Sequence, residues 1–436
     1  MFDFANAKQF FTRITKIKAR TIMRWVLVLI LGLSVRTAAG VEPVVEVRLP
    51  VLDFIPGQVV RIESDQIQIQ KSAETVTYKN TEFLEIGAIR QQVGKPWIVL
   101  PAGEILVVDR VQSQPESIHA ESLTWKPFQC PMDQVRAILL QPPRELIARD
   151  KLLELAKQDR ASDQLLLPNG TQLTGDLVFF AESRLQLVVR GLAEPLEFLL
   201  SDLSAVFFAG KMSPIKTVHQ IGFTNGSYGG ARKISRIREH LVWQTASGPL
   251  LETEVPLLAA ASSDYDPWSL VCYYRPHPRT SIYLHDLVPS RYRYLPVLPD
   301  VGSKPTVRRY ELSRNATGGM LRHGKKSFLA GIGMVSVSQL SFKIPDGCTH
   351  FQSEIGVDCM SGRQGSVTFH VLLQYDDEGK WASVYDSRTI RGGDDLQPIR
   401  IPLGDAKQLS LVVDMADQAD VMDYANWINA RFIKQP

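Results

Sequence analysis

The chain has 436 residues, 44% of them hydrophobic and 22% charged, which is enough for two to four folded domains. Its formal charge is +3, but residues 1–39 hold seven basic residues and one acidic, so residues 40–436 keep 42 basic and 45 acidic, or −3. A nucleic-acid partner thereby loses its electrostatic support.

The first 39 residues stand apart. Lys8, Arg13, Lys16, Lys18, Arg20 and Arg24 precede the apolar run Trp25–Val35, and Thr37-Ala38-Ala39 follows it. Basic, apolar and small-residue regions in that order predict a secretory signal peptide or a retained N-terminal anchor. The apolar run is short for a bilayer span. Export to the periplasm or cell envelope is expected, with membrane contact only if this segment is retained.

Residues 45–140 read as short strands of barrel-like modules. Val59–Gln70, VVRIESDQIQIQ, alternates apolar and polar residues at period two. Residues 142–160 break the pattern: PPRELIARDKLLELAKQDR places Leu146, Ile147, Leu152, Leu153 and Leu155 near one face, behind two prolines that a helix start tolerates. This is the one linking helix expected. Strands resume over 161–261, with Asn169-Gly170 and Asn225-Gly226 as matching hairpin turns and Gly175 where a strand bends. The spacing resembles that of small five-stranded, Sm-like barrels. Residues 262–306, rich in Tyr, Arg and Pro, form an expected extended bridge that seats the next domain.

From 307 to 436 the strands are legible: Phe351–Val357, Val367–Leu373, Trp381–Tyr385, Ile399–Leu403, Leu409–Val413 and Trp427–Ile433, with turn signals between them. A two-sheet antiparallel sandwich follows. The whole is therefore expected to be all-β, a C-terminal sandwich preceded by small barrel-like repeats and one helix. Cys348 and Cys359 could close a loop if their strands are adjacent, but spacing does not decide between disulfides and free thiols.

The stretches GGMLRHGKKSFLAGIGMVSVSQLSFKI, FQSEIGVD, GSVTFHVLL, RGGDDLQPIRIPLGDAKQLSLVVD and DVMDYANWINARFI resemble the NPCBM family, a jelly-roll or discoidin-like module named for carbohydrate binding. YLHDLVPSRYRYLPVL is similar to the lead-in that precedes this domain in exported proteins of planctomycete-type bacteria. The family usually has His where this chain has Val335 and Tyr424, and Asp where it has Cys359 and Asn426, while Asp358, Asp423 and Trp427 are kept.

Sugar recognition needs an apolar platform and fixed donors and acceptors. Trp427, Tyr424, Asp358, Asn426, Arg391 and Asp423 supply both if their loops converge. Alternatively, Trp427 anchors the core and the carboxylates tie down turns. Asp417, Asp420 and Asp423 offer oxygen ligands for a structural calcium ion, or form a solvated turn. No other cofactor is implied. There is no GxSxG elbow, HExxH, P-loop or dinucleotide fingerprint, and no CxxC pair for zinc, so an enzyme is not expected. Two functions remain: binding of carbohydrate or cell-envelope polysaccharide, or a degenerate module acting as a scaffold for other envelope proteins.

Overall fold

The computed structural model describes residues 45–434, apart from 49–53, 64–65, 73, 81, 83–84, 90, 115, 181–183, 213–218, 256–264, 277–280, 296–309 and 377–379. The proposed signal segment lies outside them. The described chain is mostly β, in several sheets, with one α-helix. Among the described residues no helix is long and apolar enough to cross a membrane.

Residues up to 275 form a β body built of antiparallel meanders. Three of them are built around a long strand that follows a shorter one: Phe54–Ile62, Gln172–Phe180 and Tyr228–Ile237. Each long strand carries a register shift, between Val59 and Arg61, Leu177 and Phe179, and Ala231 and Lys233. Such bulges bend a strand and increase its twist. The two Asn-Gly turns are built alike. Asn169 Oδ1 accepts from the Thr171 amide at 2.9 Å, Asn225 Oδ1 from Ser227 at 2.9 Å, and the following glycines take φ of +86° and +88°. The stretches 45–140 and 161–261 share one continuous ladder, because Ala137–Leu139 pairs with both Trp97–Val99 and Ala205–Phe207. Trp125, Phe223 and Trp243 pack at its centre, with ring centroids 4.7–5.9 Å apart.

Helix α1 spans Leu146–Lys157, and Glu145 caps it by accepting from the Ile147 and Ala148 amides. Leu152, Leu153 and Ala156 bury against Trp97, Val99 and Phe207. The inner face differs from the expected one. Ile147 is 46% exposed, whereas Arg149 and Asp150 are buried. Asp150 turns inward to Arg322 of the C-terminal sandwich, and Arg149 to Gln91 and the Pro143 carbonyl of the body.

That sandwich has two antiparallel sheets. One runs Glu311–Leu312, Gly331–Val335, Tyr424–Lys434, Cys348–Val357, Gln397–Pro402, with Ser281–Tyr283 also on Tyr424–Lys434. The other runs Arg291–Tyr294, Ser338–Lys343, Gln408–Met415, Ser366–Gln374, Ala382–Asp386. The stretch read as a bridge therefore supplies strands. Val271–Arg275 belongs to the body ladder, and Ser281–Tyr283 and Arg291–Tyr294 belong to the sandwich. Alternation explains the last of these, since Tyr292 and Tyr294 are half-buried while Arg291 and Arg293 are exposed. Cys130, Cys348 and Cys359 are free thiols. Cys348 and Cys359 lie at the two ends of one extended strand, roughly 30 Å apart.

Trp427 is fully buried, edge-on to Phe369 of the opposite sheet at 5.0 Å between centroids. Removing that ring leaves a cavity, so Trp427→Ala should cost about 3–5 kcal/mol of stability, read as a drop in the urea midpoint. A loss under about 1 kcal/mol would contradict its place in the core.

Candidate functional site

The predicted site residues divide into two groups. Asp358 ends the strand Cys348–Val357 and is fully buried. Its Oδ1 accepts from the Met360 amide at 2.9 Å, and its Oδ2 accepts from Asn426 Nδ2 at 2.6 Å and from the Arg322 amide at 3.2 Å. Burial pushes its carboxyl above the usual range, opposed by these bonds and by the charge of Arg322. Asn426 lies on the neighbouring strand, opposite Gly356, and is 1% exposed.

Asp423 is also buried. It accepts from Ser336 Oγ and the Ser366 amide, both at 2.8 Å, and burial raises its pKa. Trp427 faces the core, and Tyr424 is half-buried. Arg391 stands apart on the surface, paired with Asp417 at 2.7 Å. The six residues therefore do not converge on one open platform. Burial overrides the binding role for Trp427, whose faces are covered by Phe351 and Phe369.

The calcium expectation is corrected too. Among the described residues no group of three or more His, Cys, Asp or Glu side chains could hold a metal ion. Asp417 is committed to Arg391, and Asp423 to Ser336 and Ser366.

Arg322, on the hairpin strand Leu321–His323, is the residue that sequence reasoning missed. Both terminal nitrogens of its guanidinium bind the Asp150 carboxylate of α1, at 2.5 and 2.6 Å. Nη2 also donates to Gln91 Oε1 at 3.2 Å, which accepts from Arg149 Nε at 3.0 Å. Arg322 is 3% exposed and Asp150 8%. A bidentate pair of this kind is the geometry in which a buried ion pair holds. Close approach requires Gly319: a Cβ there would stand 2.1 Å from Asp150 Oδ2. The only local signal was a charged Arg149-Asp150 step inside an apolar helix pattern.

A second buried tie joins the body and the sandwich. Asn429 takes φ of +54° at a bulge in Tyr424–Lys434, and its Nδ2 donates to Glu85 Oε1 at 2.6 Å. Tyr273 donates to the other oxygen of Glu85 at 3.2 Å.

Two hollows flank the Arg322–Asp150 pair. The first, about 920 Å3, is lined by Asp150, Glu154, Lys157, Arg275, His285 and Arg314. The second, about 1150 Å3, is lined by Arg149, Arg322, His323, Lys325 and Glu354. Both are lined by charged and polar side chains alongside apolar wall.

Fold and site together define a two-sheet β-sandwich module seated on a larger β body. Residues 291–433 match the NPCBM/NEW2 domain, and the chain carries that domain at its C-terminus. A Renibacterium salmoninarum protein provisionally named an endo-alpha-N-acetylgalactosaminidase is 28% identical over 113 residues, covering 26% of this chain and 7% of that relative. The CBM51 of Clostridium perfringens GH95, solved in complex with methyl-galactose, is 22% identical with a TM-score of 0.29, covering 35% of this chain and 99% of that one. The CBM51-2 and INT domains of Clostridium perfringens ZmpB, solved with GlcNAc, are 18% identical with a TM-score of 0.29, covering 50% of this chain and 40% of that one.

Arg322→Met should strip Asp150 of its counter-charge and cost about 3–5 kcal/mol in urea unfolding. Adding Asp150→Leu should restore most of that loss; strictly additive losses would contradict direct coupling. Burial, reinforced by the charge of Arg275, holds the His285 imidazole down at about 4, from an ordinary 6.5, against the pull of Asp286. Folding thus favours its neutral form. Its stability contribution is present above about 6.5 and is lost as pH falls from there to about 4. His285→Phe should flatten the stability profile in that window, and an unchanged slope would contradict the assignment.

Proposed function

We propose that this is a non-catalytic, exported protein of planctomycete type whose C-terminal sandwich, of jelly-roll kind, binds carbohydrate of the cell envelope. The observation that carries the reading is the NPCBM/NEW2 match over residues 291–433, since the family is named for that activity. The similarity to a protein named for an activity on N-acetylgalactosaminides supports the same class of ligand.

The binding surface in this reading is the junction between α1 and the sandwich. Asp358 and Asn426 support it from inside, because both Asp358 oxygens and the Asn426 Nδ2 already serve Arg322, Met360 and each other. Among the six residues first considered, Arg391 and Tyr424 keep surface, but Arg391 stands apart on Asp417 and neither lines the hollows of this junction. A second reading, a scaffold for other envelope proteins, is favoured by one observation. Val335, which stands where the family has His, is only 3% exposed and belongs to the sandwich wall, so no open pocket forms around it.

Glycan-array and affinity-gel binding of the full chain separates the two. A fragment starting at 307 would lack the strands Ser281–Tyr283 and Arg291–Tyr294, so it is not a fair substitute. Saturable binding that survives Trp427→Phe, which keeps an aromatic ring in the core, is the expected result. Failure of the folded protein to bind across a broad panel would support the scaffold instead.

A further inference from the structure

The first hollow is lined by three cations, Lys157, Arg275 and Arg314, and three carboxylates, Asp150, Glu154 and Asp286, but two of the cations share one carboxylate. Lys157, in the last turn of α1, and Arg314, on the loop after Glu311–Leu312, share the single carboxylate of Glu154. Lys157 Nζ stands 3.5 Å from Glu154 Oε1, and Arg314 Nη1 pairs with Glu154 Oε2. All three side chains keep contact with solvent, at 37%, 32% and 36% exposure for Lys157, Arg314 and Glu154.

The other acids of the lining are already engaged, and the charges of Asp286 and of the buried Glu85 act on Arg275. Asp150 is consumed by the bidentate pair with Arg322. Asp286 lies at the exposed rim, 3.6 Å from His285. Arg275 brings a third cation, with its guanidinium 4.9 Å over the Tyr283 ring and its Nη1 buried without a hydrogen-bond partner. Of the other titratable side chains of the lining, His219 is engaged by the Tyr274 hydroxyl at 2.9 Å, and the Tyr228 hydroxyl donates to Met320 Sδ at 3.5 Å.

We propose that this hollow receives an acidic saccharide and that Lys157, Arg275 and Arg314 hold its carboxylate or sulfate group. The inference rests on the carbohydrate reading above and narrows it to anionic polymers such as uronates or sulfated glycans. A neutral sugar could satisfy the hydrogen-bond donors but would leave two cations sharing one carboxylate. An anion both pairs with the donors and relieves the repulsion between Lys157 and Arg314, which together with burial already lowers the Lys157 pKa. Gly318, in the wall beside Arg314, has open space where a Cβ would stand.

The test is affinity electrophoresis of the full chain through gels containing polygalacturonate, dextran sulfate, neutral dextran or polyaspartate. Retention by polygalacturonate, dextran sulfate or both is expected, with little in neutral dextran or polyaspartate; whichever acidic polymer retains the protein identifies the anion. Lys157→Gln should weaken that retention about tenfold or more, while Lys157→Arg should keep it. Lys325→Gln, in the second hollow, should leave it unchanged. Equal retention by neutral dextran and the acidic gels, insensitive to Lys157→Gln, would overturn the inference and leave the carbohydrate reading standing. Equal retention by polyaspartate would overturn it as plain ion exchange. Loss on Lys325→Gln rather than Lys157→Gln would move the site out of this hollow. Absence of retention in every gel and of binding across the neutral glycan panel would overturn both readings.

Discussion

Arg322 and Asp150 meet where the helix of the β body touches the hairpin of the sandwich, and both are almost wholly out of water. Desolvating two charges costs several kcal/mol per ion, so such a pair persists only with near-ideal geometry and further hydrogen bonds. Both conditions hold. The pair is bidentate, Gln91 takes one of the guanidinium protons, and Gly319 lets the backbone come close enough. The same arginine's amide donates to Asp358, so the tie continues into the interior of the sandwich. Helix, hairpin and sheet end are positioned as one set, and the hollows on either side are what that arrangement leaves open.

This geometry gives the carboxylates of the sandwich interior a different task from the one their types suggest. Asp358 and Asp423 accept hydrogen bonds from their own sandwich, and burial raises both pKa values. A carboxylate so placed organises a strand end better than it meets a solvated sugar. Charge available to a ligand collects instead at the junction, on Lys157, Arg275 and Arg314, from three segments distant in the chain.

Much of the sandwich was legible because its strands alternate cleanly and its turns are marked. The expected Val367–Leu373 and Leu409–Val413 lie within Ser366–Gln374 and Gln408–Met415. Helix α1 was legible from its prolines and apolar spacing, but its inner face was not, since Asp150 finds its partner, Arg322, far along the chain. The Arg322–Asp150 pair spans 172 residues, and the Glu85–Asn429 bond spans 344. Local pattern carries no trace of such distances. Arg291–Tyr294 was passed over because its half-buried positions hold tyrosine rather than aliphatic residues, although the period of two was there. The burial of Trp427 was weighed from its place in an alternating strand, and the core packing against Phe369 agrees with that alternative.

Hydrogen exchange of the full chain, with and without a glycan that binds it, tests whether the junction is the binding surface. Protection concentrated in 150–157 and 312–322, with the edge around Arg391 and Asp417 unaffected, is the result expected from this geometry. Protection confined to 385–395 and 415–424 would place the ligand on the far edge of the sandwich and contradict it.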